Sequence, residues 1–283
     1  MTTATEKPQL RGETKSAVVD LLYRLADDAL ILGHRNSEWT GIGPILEEDI
    51  AFSSMAQDKM GHALVLYTML HELGEEQPDR LAFGRKADQY RCCSLVVLEC
   101  MSKSTGATAG LSNNPVRDEL LARGDWAKLL VRHFLFSEAD AQRWSALEQS
   151  SHEPLAQFAA KLRGEIKYHT MHGRLMMERL SKSPESRERL QAALDVLYPH
   201  GLGIFEPTKF DAALAEAEIC PSETALCKAW QSQTAAILDR CGLKIPKNGT
   251  PIHGGRHGKH PPEMHGVLDA LQKVYRLDPT AQW

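Results

Sequence analysis

Two histidines stand at spacings that invite metal chemistry on helices. His62 closes the run Gln57-Asp58-Lys59-Met60-Gly61-His62, and His169 closes Gly164-Glu165-Ile166-Lys167-Tyr168-His169. A carboxylate-bridged di-metal centre in a helical bundle takes one Glu from each of two helices and a Glu-x-x-His from each of two others. The i, i+3 spacing sets both ligands on one helix face. Here the residue three before each histidine is Lys59 or Ile166. An ammonium has no lone pair to give a metal, and an isoleucine has no donor at all. Asp58 and Glu165 lie four residues before, one step or about 100° further round the helix. They can still share the face. The missing glutamates favour buried, hydrogen-bonded histidines over ligands. Glu38, in Ser37-Glu38-Trp39, is a further candidate carboxylate.

A second cluster is the run His253-Gly-Gly-Arg-His-Gly-Lys-His260. Three readings compete for it: a solvated loop, a contact for phosphate or coenzyme A, and a divalent metal site. Glycines let backbone N–H groups close on an anion, and Arg256 and Lys259 supply charge, which favours phosphate over metal. No Walker spacing and no nucleophile elbow accompanies it. The six cysteines, Cys92, Cys93, Cys100, Cys220, Cys227 and Cys241, form no C-x-x-C pair and read as reduced, mostly buried thiols.

The elements that must carry these residues are helices. From Lys15 to Arg35 the apolar positions Val18, Val19, Leu22, Leu25, Ala29 and Leu32 mark one buried face. Further helices are expected over Ile45–Leu73, with Gly74 as C-cap, and over Ser94–Lys103, Arg117–Ser150, Leu155–Ser181, Arg187–Tyr198, Ser222–Cys241 and Met264–Tyr275. Pro199 is expected to end its helix, Gly106–Pro115 to be a break, and Trp283 to be packed. No stretch alternates long enough for a strand. The reading is a leader over 1–14 and one all-α domain over 15–283, with an irregular Gly/His-rich segment before the last helix.

With 283 residues, 42 % hydrophobic and 25 % charged, the chain can bury a substantial core. A net charge of −4 argues against a general nucleic-acid binder. No apolar run approaches the ~20 residues that span a bilayer, and no secretory h-region is visible, so the expected compartment is the cytoplasm.

The segment Leu30-Ile-Leu-Gly-His-Arg-Asn-Ser-Glu-Trp-Thr-Gly-Ile-Gly-Pro-Ile-Leu-Glu-Glu-Asp49, with Tyr168-His169 and the end Gly254-Gly-Arg-His-Gly-Lys-His260 … Gln282-Trp283, resembles the PaaC subunits of ring-1,2-phenylacetyl-CoA epoxidases. The resemblance runs from about residue 18 to 283. It implies a ferritin-like fold and a heteromer with a homologous catalytic subunit that carries the di-iron cofactor, this chain carrying none. It also implies a separate reductase and an O2- and NADPH-dependent epoxidation of phenylacetyl-CoA by the complex. Residue by residue, Glu38, His62 and His169 keep the sister subunit's ligand types, whereas Lys59, Ser137 and Ile166 replace its carboxylates. The resemblance therefore implies a degenerate metal site in a structural subunit. Its rival is a self-sufficient di-iron oxygenase or ferroxidase, which needs Glu at Lys59 and Ile166. A buried Lys59–Glu38 ion pair is expected to stand in for the lost metal, and Arg256 and Lys259 to meet the phosphates of coenzyme A.

Overall fold

The computed structural model describes residues 12–100, 124–247 and 249–281. Most of the expected leader, the Gly106–Pro115 break, the start of the Arg117 helix and Trp283 lie outside them. Among the described residues the chain is all-α, as a ferritin-like bundle requires. Two long antiparallel pairs form the frame: α1 (Gly12–Ser37) with α2 (Leu46–Glu72), and α5 (Trp126–Leu147) with α6 (Glu153–Leu180). Between the pairs run the short α3 (Pro78–Phe83) and α4 (Ser94–Val97). Helices α7 (Pro184–Leu202), α8 (Asp211–Glu216), α9 (Glu223–Arg240) and α10 (Glu263–Leu271) follow. Among them α7 and α9 pack on α5 and enclose its outer side.

Local chemistry sets the helix ends. α1 starts at Gly12, three residues before Lys15, and buries Val18, Leu22, Leu25, Ala29 and Leu32. Gly74 follows α2 at φ +97°, and its N–H and that of Glu75 take the His71 and Leu70 carbonyls. Asp125 caps α5 by accepting the Lys128 N–H at 3.2 Å. Ser222 caps α9 through the Ala225 N–H.

Three expected boundaries are corrected. Where the expected Arg117–Ser150 helix runs straight through, α5 begins at Trp126 because Asp125, in an extended conformation, caps it. α4 stops at Val97 because buried arginines take the carbonyls that a longer helix would use: Arg35 Nε donates to Val97 O at 3.0 Å and Arg132 Nη1 to Leu98 O at 2.9 Å. Pro199 does not end α7, which continues to Leu202. The carbonyl its ring leaves unpaired belongs to the exposed Asp195, where water can serve it.

The Gly/His-rich segment is irregular, with a single 3₁₀ turn over Gly255–His257. Its glycines are places where backbone meets backbone. A Cβ on Gly255 would lie 2.3 Å from Cys92 O, and one on Gly258 would lie 2.1 Å from Asp88 O. Cys92 and Cys93 are buried, and burial pushes both thiols up, as expected of inert cysteines.

Candidate functional site

Inside the frame, α2, α5 and α6 bring together His62, His133, His169 and His172. The i−4 carboxylates make a crossed pair of contacts between α2 and α6. His62 Nε2 lies 2.6 Å from Glu165 Oε2, and His169 Nε2 lies 2.9 Å from Asp58 Oδ2. A third such contact joins His172 Nε2 to Glu48 Oε2 at 3.0 Å. His133, from α5, reaches the His169 carbonyl at 3.0 Å through Nε2 and the Ser137 hydroxyl at 3.3 Å through Nδ1.

Burial is the main cause of the protonation state here. It pushes His62 down to about 2 and His169 to about 4, and the Lys59 ammonium adds to both shifts. His133 falls well below the usual imidazole range, first from burial and then from its histidine neighbours. The Glu165 carboxyl rises through burial and the nearby Asp58 charge. His62 and His169 are thus neutral imidazoles donating to carboxylates, and His133 donates to a carbonyl, a core arrangement rather than a poised acid–base pair.

Lys59 does not pair with Glu38. Its ammonium is buried and bonds Asp140 of α5, with the Phe136 ring face 5.6 Å away. Burial pushes the Asp140 carboxyl up, against the pull of Lys59. Glu38 lies just past the end of α1 and is held by Arg35 Nη1 at 2.7 Å, one turn back on its own helix. The expected ion pair thus has the right lysine and the wrong carboxylate, because a local guanidinium three residues away captures Glu38 first.

The six positions of the degenerate site do not form one ligand sphere. His62, Ser137, Ile166 and His169 are buried on the inner faces, Lys59 is committed to Asp140, and Glu38 faces Arg35. Among the described residues no group of three or more His, Cys, Asp or Glu is placed to hold a metal ion. With an ammonium and an isoleucine at two ligand positions, these residues do not fit a di-metal centre. Sequence reasoning misses His133, His172, Asp140 and Glu48, although His169-x-x-His172 and His133-x-x-x-Ser137 are legible there as one-face spacings.

Next to Lys59 the interior is strongly ionic. Glu223 of α9 accepts Arg143 through both oxygens at 2.7 Å and Arg24 at 2.8 Å. Burial alone would raise this carboxyl, but the two guanidinium groups hold it at about 2.

Arg256 is part of that interior. It is 3 % exposed and bonds Asp28 at 2.8 Å, with further bonds to the Arg91 and Ile204 carbonyls at 2.9 Å. It therefore presents nothing to a phosphate at the surface. Lys259 is exposed. The backbone of the loop does cradle an anion, and the anion is internal: Glu206, itself buried, accepts the Gly254 N–H at 2.8 Å and the Arg256 N–H at 3.1 Å.

A groove of about 760 Å³ runs between α5 and α6, floored by Trp144 and Ile166 and flanked by Arg163, Lys167 and Arg174. Arg163 and Arg174 are already bonded to Glu148 and Glu138. Among the described residues no helix is long and apolar enough to cross a membrane.

Against known proteins, the family model described as "Phenylacetic acid catabolic protein" matches residues 1–283. The chain is also similar to the C subunit of the 1,2-phenylacetyl-CoA epoxidase of Escherichia coli (strain K12), at 27 % identity over 262 residues, covering 92 % of this chain and 96 % of that one.

Proposed function

The chain belongs to the phenylacetic acid catabolic protein family, and on that premise we propose that it is a structural, non-catalytic subunit of a multicomponent phenylacetyl-CoA 1,2-epoxidase. It would bind a homologous di-iron catalytic subunit and hold it in its working shape, with electrons arriving from a separate reductase subunit and phenylacetyl-CoA met through the complex. The name of the similar protein, one lettered subunit of an epoxidase, supports the assembly. One observation supports the non-catalytic role above the others: the Lys59 ammonium is buried and paired with Asp140, and Ile166 is buried too, at the two positions where a di-iron helix pair supplies glutamates. The rival reading, a self-sufficient di-iron oxygenase or ferroxidase, has no carboxylate at either position.

Elemental analysis of the purified chain tests the proposal. The expected result is far less than one iron per chain and no epoxidation of phenylacetyl-CoA without the sister subunit. Close to two irons per chain would overturn it. A contact with the coenzyme A phosphates falls to Lys259 rather than Arg256. Lys259→Ala in the assembled complex should raise the KM for the acyl-CoA at unchanged kcat, and an unchanged KM would remove the loop from substrate binding.

A further inference from the structure

Helix α2 carries the charges Glu48 and Lys59 on its inner side, while between Ile50 and Thr68 its exposed positions carry no charge. From Met60 to Leu70 it carries no Asp, Glu, Lys or Arg. A helical stretch so poor in charge is ordinarily covered on more than one side. Outside, the exposed positions Ile50, Ser54, Gln57, Gly61, Leu64 and Thr68 follow one another at steps of four and three. That is the spacing by which one helix presents a seam to another. On α6 the exposed Gly164, Tyr168, Met171 and Leu175 repeat the same steps.

The two stripes lie side by side. The contacts Glu48–His172, Asp58–His169 and His62–Glu165 show α2 and α6 running antiparallel as neighbours. Of the thirteen large hydrophobic residues exposed among the described residues, nine belong to α2, to the residue just before it, or to α6. At roughly half exposure each, they offer on the order of 800 Å², about what a standard interface takes from each partner.

The glycines are compatible with a close approach. Glycine is a poor helix former, and two other helical glycines have a reason inside the chain. Gly33 faces Met60 Sδ at 3.0 Å and Gly173 faces the His133 ring at 3.3 Å. Gly61 and Gly164 have none: a Cβ on either would meet nothing within 4 Å. Both sit on the outer face next to the His62–Glu165 contact. Gly266 on α10 is equally open, so the space at Gly61 and Gly164 permits a close approach there without requiring one.

We propose that the outer face of α2 and α6 is the docking surface for a helical face of the sister catalytic subunit, seated along the two stripes and closest to this chain at Gly61 and Gly164. This rests on the function proposed above and adds the surface that carries it. The 3–4 spacing calls for a partner that is itself helical, and the exposed apolar side chains around the Glu165 carboxylate call for one that is mainly apolar with a polar group to meet that charge. The available area suits a stable heteromer.

The test uses the full chain co-expressed with its catalytic sister, read by size-exclusion chromatography with light scattering, with thermal unfolding of the isolated chain as the control for folding. Leu64→Glu with Met171→Glu should weaken the complex at least about tenfold at an unchanged melting temperature. Gly61→Leu should weaken it too while leaving the isolated chain no less stable. Val196→Glu, at an exposed apolar position on α7, should leave it intact. A wild-type pair that fails to associate overturns the function and the surface together. A wild-type complex that survives all three substitutions on α2 and α6 overturns the surface alone. Self-association of the isolated chain that these substitutions abolish, with no sister complex formed, assigns the face to a second copy and overturns the choice of partner.

Discussion

Lys59 and Asp140 form the pair on which the interior of the bundle turns. Both are charged, buried and 81 residues apart in sequence. Removing one partner of a buried ion pair costs about 3–5 kcal/mol, because the other charge is left without compensation, whereas replacing both with apolar residues can be nearly neutral. Lys59→Met should therefore destabilise the fold by about 3–5 kcal/mol, and adding Asp140→Leu should recover most of that loss. Denaturant unfolding of the two single variants and the double closes the cycle; simple additivity would show that the two groups are not coupled. The i−4 carboxylates Asp58 and Glu165 are legible from spacing alone, since a helix carries its own register. The partner of Lys59 is not, because choosing among carboxylates on other helices needs the bundle. Glu38 escapes its expected role for the same reason, with Arg35 nearer to it than any group across the core. Arg256 shows the opposite limit: charge beside glycine reads as an anion site, and only the fold reveals that its anion is Asp28.

At the scale of elements, hydrophobic periodicity locates α1, α2, α6 and α9 to within a few residues, because each buries one continuous stripe, whereas the start of α5 is set by the Asp125 cap. α4 and α7 differ because their ends depend on distant groups, the arginines that take the Val97 and Leu98 carbonyls and the solvent around Asp195. The Gly/His-rich loop is legible as irregular, but sequence leaves open whether it is solvated, meets an anion or holds a metal. Glu206 holds the loop from inside, and its carboxylate is the acceptor for two backbone N–H groups that water cannot reach easily. Glu206→Ala should leave both donors unsatisfied and cost about 2–4 kcal/mol, since hydrogen bonds to a charged acceptor contribute roughly 1.5–3 kcal/mol each before any relaxation. Hydrogen exchange at the Gly254 and Arg256 amides should accelerate accordingly. Unchanged exchange there would show that the loop is held by its packing on Cys92 and Asp88 instead. Gly258→Ala tests that packing: with φ at +77° and the Asp88 carbonyl 2.1 Å from an added Cβ, it should be destabilising even with Glu206 present.

Across the whole molecule, the histidine–carboxylate contacts between α2 and α6 make stability depend on acid. His62 and His169 are held at about 2 and about 4 in the folded chain by burial and by Lys59, while an unfolded histidine titrates near 6.5. Below pH 6.5 the unfolded chain therefore binds protons that the folded chain refuses, and stability falls as pH falls. For His169 the loss is fully developed at its folded value, about 3 kcal/mol by pH 4, and His62 continues to lose below that. Glu165 and Asp140 shift upward and act in the opposite sense, taking up protons in the folded state before the unfolded one, which trims the loss. The net expectation is a denaturation midpoint that is flat above pH 7 and drops between pH 6.5 and 4. His169→Gln, which keeps a donor for Asp58 but cannot titrate, should remove about one proton from that slope. Because these contacts tie α2 to α6, acid should loosen that seam before the α1–α2 packing, so amides of α6 around Tyr168 should lose exchange protection at a higher pH than those of α1. A midpoint independent of pH from 7 to 4, or a slope identical in His169→Gln, would place the acid response elsewhere in the chain.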